Sequence, residues 1–175
     1  AGLLRRRGRA KGGVDYPTFE GHADLPERGN DSPAFVSLVN DGMEHWMRRG
    51  ADAWRLDAAY AVPPAFWKRV VPAIRSEFPD SWFLGEVIHG DYAGIVDASG
   101  MDSVTQYELW KAAWRSLESA HFYELHWCPK RHDALLGAFA PPTFIANPDL
   151  PPLPPPPAAR FPAPAAAPPL PRAVL

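Results

Sequence analysis

Two acidic residues sit where carboxylates could share one chemical task. Asp57 lies in the run Gly50-Ala51-Asp52-Ala53-Trp54-Arg55-Leu56-Asp57-Ala58-Ala59, and Glu86 lies in Trp82-Phe83-Leu84-Gly85-Glu86-Val87-Ile88. On a strand, residues two apart share a face, so Arg55 and Asp57 point the same way. A neighbouring guanidinium favours an ionised carboxylate, the form a nucleophile needs. The same spacing serves equally well for a structural Arg–Asp pair at a strand end. The offset of 86 − 57 = 29 residues suits one strand–helix–strand unit. Neighbouring parallel strands lie ~4.8 Å apart. Carboxyls at the ends of two such strands can reach the ~5–5.5 Å separation used for double displacement at an acetal carbon. Glu86 has Phe83, Leu84 and Gly85 before it and Val87 and Ile88 after it. That apolar setting is expected to raise its pKa and keep it protonated as an acid.

The elements that must position this pair are legible around it. Ser32-Pro33 starts a helix, with Ser as N-cap and Pro at the first helical position. Phe35, Leu38, Val39, Met43, Trp46 and Met47 recur at helical spacing, and Arg48-Arg49-Gly50 closes the helix. Residues 51–58 read as a strand. Pro63-Pro64 opens a second helix with Phe66, Val70, Ile74 and Phe78 on one face; Pro72 is expected to kink it and Pro79-Asp80 to end it. Residues 82–88 form a compact β-prone run suited to a strand buried on both faces. Residues 103–107 read as the next strand, followed by a helix through Trp110, Ala113, Trp114 and Leu117, and residues 143–145 as one more strand. Helix and strand alternate, which argues for a parallel α/β sheet.

This pattern occupies residues 14–147. Residues 1–13 (AGLLRRRGRAKGG) are basic and Gly-rich and are expected to be disordered. From Pro148 to Leu175 the chain is dominated by Pro and Ala with no amphipathic period, so a disordered or polyproline II tail is expected. The whole chain has 175 residues, enough for one domain with a core. A net charge of −2 is too small to argue for nucleic acid or a membrane surface as a partner. The apolar run near residue 70 is too short and too charged to span a membrane. No apolar h-region follows the basic start, so no signal peptide is expected there, and localisation is left open. Cys128 is alone and allows no intrachain disulfide. The six His residues include no H-E-x-x-H pattern, and His121 and His126 are five apart, off the helix face that metal ligation prefers. No phosphate-binding or dinucleotide-binding fingerprint is present. Seven Trp residues are many for this length; core packing accounts for them, and a sugar-binding surface would also use their flat faces.

The blocks GADAWRLDAAYAV and FLGEVIHGDY resemble the fourth- and fifth-strand signatures of glycoside hydrolase family 13, the α-amylase family. DSVTQYELWKAAW, FYELHW and KRHDALL, which follow in order, are similar to its bacterial α-amylase-like members. The resemblance covers roughly residues 14–147. It implies a (β/α)8 TIM barrel that cleaves or transfers α-glucosidic bonds with retention, and hence an α-glucan or α-glucoside as partner. It matches Asp57 to the nucleophile, Arg55 to the arginine that holds it, and Glu86 to the general acid/base. Tyr60 falls where the family contacts the glucose on the leaving-group side. His89 and Tyr92 follow the acid/base, where residues line the same cleft; both positions suit solvated loop residues equally well. The resemblance implies no organic cofactor. Several α-amylases hold a structural Ca2+, whose ligand-bearing segments are expected outside this chain.

The sequence departs from the family at four points. Tyr60-Ala61 stands where many α-amylases have Lys-His. The third-strand signature is absent, so the chain is expected to hold only about strands four to seven of the barrel. In Thr143-Phe144-Ile145-Ala146-Asn147-Pro148-Asp149, Pro148 replaces the His of the seventh-strand signature, and Asp149 aligns with the transition-state-stabilising carboxylate. There the match stops and the Pro/Ala run begins, the pattern a reading-frame shift produces. Two readings follow: an α-glucan-active hydrolase represented by part of its barrel, or a non-catalytic remnant of one.

Overall fold

The basic, Gly-rich start carries secondary structure, contrary to expectation. In the computed structural model, which describes residues 2–10, 13–119, 121–144 and 146, strands β1 (Gly8–Ala10) and β2 (Gly13–Asp15) pair antiparallel. Leu4 bridges to Arg28, the Arg5 N–H donates to the Glu27 carbonyl at 2.9 Å, and the Arg5 guanidinium meets the Glu27 carboxylate at 2.7 Å. Residues 27–29 thus supply backbone partners to residues 3–5 that composition does not reveal. A segment too polar to build a core is still ordered when its peptide groups find a ladder.

Helix α1 (Pro33–Met47) starts as expected: Ser32 Oγ accepts from the Phe35 N–H at 3.4 Å and Pro33 occupies the first turn. Its packed stripe is narrower than the spacing predicted. Met43 and Met47 are buried and Phe35, Val36 and Val39 pack beside them, whereas Leu38 and Trp46 are exposed. Arg48 caps the helix and forks onto Glu77 at 2.8 and 3.0 Å, which ties α1 to the end of the next helix. Gly50, at φ +99, then reverses the chain with a backbone that a Cβ would strain.

The central layer is a parallel sheet of β3 (Ala53–Leu56), β4 (Trp82–Gly85) and β5 (Ser103–Val104), in that order. Ala53 pairs with Trp82 and Leu56 with Gly85; Gly85 in turn pairs with Val104. Helix α2 (Pro64–Glu77) makes the crossover from β3 to β4 and buries Phe66, Trp67, Val70, Val71 and Ile74. Pro72, where a kink is expected, lies inside one continuous helix. The main core joins these side chains to Leu56, Phe83 and Met101. Trp82 is exposed, so β4 is not covered along its whole length.

All three parallel strands are shorter than the sequence predicts, β3 covering 53–56 of 51–58, and β4 and β5 share one reason. Thr105 Oγ1 accepts from the Val87 N–H at 2.9 Å and donates to the Val87 carbonyl at 3.1 Å. A side chain takes the place of a neighbouring strand here, so β4 ends at Gly85 and β5 at Val104. Helix α3 (Tyr92–Ser99) was not expected. Its signals are local: Asp91 accepts from the Gly94 N–H at 3.0 Å, and Gly100 at φ +79 closes it. Helix α4 (Tyr107–Ser119) packs against α5 (Tyr123–Leu136), a second helix the pattern did not reveal because none of its residues is buried. Thr143 and Phe144, expected to be in a strand, are in none. Phe144 instead lies against Tyr107 and Trp110, with ring centroids 5.0 and 6.5 Å away. No described helix is long and apolar enough to cross a membrane. The Pro/Ala tail lies outside the described residues.

Candidate active site

Because Leu56 and Gly85 are register partners, the next residues, Asp57 and Glu86, leave adjacent parallel strands side by side at their C-terminal ends. Arg55, two residues before Asp57, reaches both. Its Nη1 lies 2.6 Å from Asp57 Oδ1 and its Nη2 lies 2.8 Å from Glu86 Oε1. A planar guanidinium is preorganised to fork in this way, with a separate nitrogen for each carboxyl.

The two carboxyls differ in environment. Asp57 is exposed, with 76% of its side chain accessible, and Glu86 is buried at 8%. Two further groups converge on Glu86: the Ala58 N–H donates to Oε2 at 2.9 Å and the Tyr107 hydroxyl donates to Oε1 at 2.8 Å. Ala58 takes a left-handed backbone (φ 44, ψ 38), which turns its N–H toward Glu86. That conformation costs a non-glycine residue roughly 1–2 kcal/mol.

The protonation of Glu86 is opposite in sign to expectation. Burial does push its pKa up and is the largest single influence. The Ala58 and Tyr107 hydrogen bonds and the Arg55 charge together outweigh it and hold the carboxyl below its ordinary value. The apolar neighbours in sequence indicated burial correctly. They carried no information about donors arriving from other strands.

Tyr60 stands on the rim. Its N–H donates to the Glu86 carbonyl at 3.2 Å, its hydroxyl donates to Glu20 at 3.4 Å, and its ring lies 5.8 Å from that of His89. Burial, followed by the Glu20 charge, pushes its hydroxyl pKa up. His89 is exposed. Tyr92, in contrast, neither lines the cleft nor sits in a solvated loop: it is 3% exposed, packs with Val87, Val104 and Phe139, and burial pushes its hydroxyl up to about 12. On its other side Asp57 borders a cavity of about 280 Å3 lined by apolar side chains including Phe19, Leu25, Phe35, Val62 and Phe66.

Asp149, with Asn147 and Pro148, lies outside the described residues. Among the described residues no group of three or more His, Cys, Asp or Glu side chains could hold a metal ion. Sequence reasoning missed the Ala58 N–H and Tyr107. A signal for Tyr107 existed: it follows Glu86 by 21 residues, just past the third parallel strand.

Carboxylates at the carboxyl ends of neighbouring parallel strands, with a helix crossing between them, sit where α/β barrels carry their sites. Solved structures agree on the fold. An α-amylase of Anoxybacillus superposes with a TM-score of 0.58 at 22% identity, over 69% of this chain and 30% of that one. A cyclomaltodextrinase superposes with a TM-score of 0.55 at 26% identity, over 66% and 20%. Among curated proteins, neopullulanase 2 of Thermoactinomyces vulgaris is 33% identical over 95 residues, 54% of this chain and 16% of that protein. The intracellular maltogenic amylase of Bacillus subtilis is 36% identical over 76 residues, 43% of this chain and 13% of that protein. No family model matches the chain. The chain is similar to α-amylase-type enzymes of glycoside hydrolase family 13, and its match spans only about a sixth of the neopullulanase in length.

Proposed function

We propose that this chain is part of a retaining hydrolase of α-glucosidic bonds, with an α-glucan or α-glucoside as substrate, and that it holds about strands four to seven of the barrel. Asp57 is the nucleophile and Glu86 the general acid/base. The observation that carries this reading is the Arg55 fork, which binds the ends of β3 and β4 and brings one exposed and one buried carboxyl together.

In the first step the Asp57 carboxylate attacks the anomeric carbon, the glycosidic C–O bond breaks, and the leaving oxygen takes a proton from Glu86. In the second step water attacks the same carbon, Glu86 takes the water's proton, and the Asp57 ester bond breaks. Arg55 keeps Asp57 oriented. Tyr60 faces the leaving-group side, His89 lines the same cleft, and Asp149 supplies the third carboxylate. Glu86 rests as a carboxylate in the free protein, so it must gain its proton as substrate displaces water from the site.

One observation favours the second reading, a non-catalytic remnant: Asp57 is largely open to solvent. An activated α-glucoside with a fluorinated sugar ring, which slows the second step, separates the two. Mass spectrometry of the treated protein is expected to find one added glycosyl group, on the peptide containing Asp57. An intact mass unchanged in the wild type would leave only the remnant.

A further inference from the structure

The hydroxyl of Tyr107 reaches Glu86 Oε1 from the first turn of α4, beyond the third parallel strand. Tyr107 is 4% exposed, and its ring is wedged edge-on against Phe144 at 5.0 Å and Trp110 at 6.3 Å. The backbone that carries it is fixed as well, because the neighbouring Thr105 side chain clamps both polar groups of Val87. Residues 86–87 and residues 105–107 are therefore joined twice, once through the backbone and once through the carboxylate.

Oε1 meets both the Tyr107 hydroxyl and the Arg55 guanidinium, whereas Oε2 meets the Ala58 N–H. A carboxylate oxygen has two in-plane acceptor sites, so two donors on Oε1 leave it poorly placed to carry a proton.

We propose that Tyr107 is a positioning residue for Glu86: with Arg55 it occupies Oε1, fixes the carboxylate plane, and leaves Oε2 to carry the transferable proton. This rests on the reading of Glu86 as the acid/base. A phenol donating to a carboxylate favours its ionised form, the form needed when water is activated in the second step. Tyr107 thereby assists the base role of Glu86 and opposes its acid role. A phenylalanine in its place keeps the ring contacts and removes only the donor.

The test is a carbon-detected NMR titration of the full chain labelled in the Glu side-chain carboxyls and the Tyr rings. In the wild-type protein the ring carbon bearing the Tyr107 hydroxyl is expected to shift with the same midpoint as the Glu86 carboxyl. In Tyr107→Phe the Glu86 midpoint is expected to move upward while the near-UV circular dichroism of the Trp cluster is retained. A Tyr107 ring that ignores the Glu86 transition overturns the proposal without any variant. An unmoved Glu86 midpoint in folded Tyr107→Phe overturns it as well. Neither readout needs turnover, so failure of the hydrolase reading in the trapping experiment stays separate from failure here.

Discussion

The Ala58 N–H donates to Glu86 across 28 residues of sequence, from a left-handed backbone one residue past Asp57. The chain that delivers one carboxyl to the site thus turns at once to hold the other. Asp57 and Glu86 are coupled through backbone as well as through Arg55, and the consequences can be measured.

Acid sensitivity follows from the sign of the Glu86 shift. Its folded-state pKa is lowered. The ionised carboxylate therefore contributes stability that is present above the unfolded value and is lost as pH falls through the folded one. Urea midpoints of the wild type are expected to drop on acidification from about pH 6 to about pH 3. The drop is expected to be smaller in Glu86→Gln. Parallel pH profiles for the two proteins would contradict this coupling.

Removing the fork strands a buried carboxylate. Arg55→Ala is expected to cost roughly 1.5–3 kcal/mol, the range for hydrogen bonds to charged groups. Arg55→Lys should recover only part of that, because an ammonium lacks the planar fork whose two nitrogens meet Asp57 and Glu86. Equilibrium unfolding in denaturant measures both. Equal stability of the Lys variant and the wild type would show that charge alone suffices.

Gly85 is where the strand meets the core. A Cβ there would lie 2.5 Å from Met101 Sδ and 3.3 Å from both Ala59 Cβ and Val104 Cγ1. Met101, Ala59 and Val104 are all buried, so the displaced atoms have little room. Gly85→Ala is expected to destabilise by ~1–3 kcal/mol. It should also broaden the NMR signals of the adjacent Glu86. A fully stable variant would mean that Met101 finds another rotamer without cost.

The sheet is also pinned from behind. Asp102 accepts from the Phe83 N–H at 2.7 Å and pairs with Arg75 at 2.6 Å, and Arg75 donates to the Gly100 carbonyl at 2.9 Å. Asp102→Ala leaves a β4 peptide group without this acceptor and is expected to cost about 1–3 kcal/mol. Hydrogen exchange at Phe83 should accelerate more than at Leu56. Uniform acceleration would point to global loosening instead.

Turnover of starch or an activated maltoside by the 175-residue polypeptide is expected to fall far below that of intact α-amylases. Acid/base chemistry contributes ~10²- to 10⁴-fold, and positioning and charge stabilisation supply much of the rest. The described sheet has three strands and therefore two open edges. Asp57→Asn is the control. A high rate abolished by that change would overturn the expectation while supporting the nucleophile.

What the sequence determined by itself was local and periodic. The Ser32 cap, the α2 face through Phe66, Val70 and Ile74, and the two strand ends bearing Asp57 and Glu86 were all legible. Each depends on neighbours within a turn or on alternation along one strand. Helix α3 could have been read from Asp91 and Gly100 by the same rules. The tertiary structure decided whatever depends on partners far apart in the chain. Thr105 ended β4 early, residues 27–29 paired with the basic start, and Tyr107 and Ala58 helped reverse the sign of the Glu86 shift. A flanking sequence reports how apolar a carboxyl's surroundings are, but its charge state is set by donors that only the packing of strands and helices brings within 3 Å.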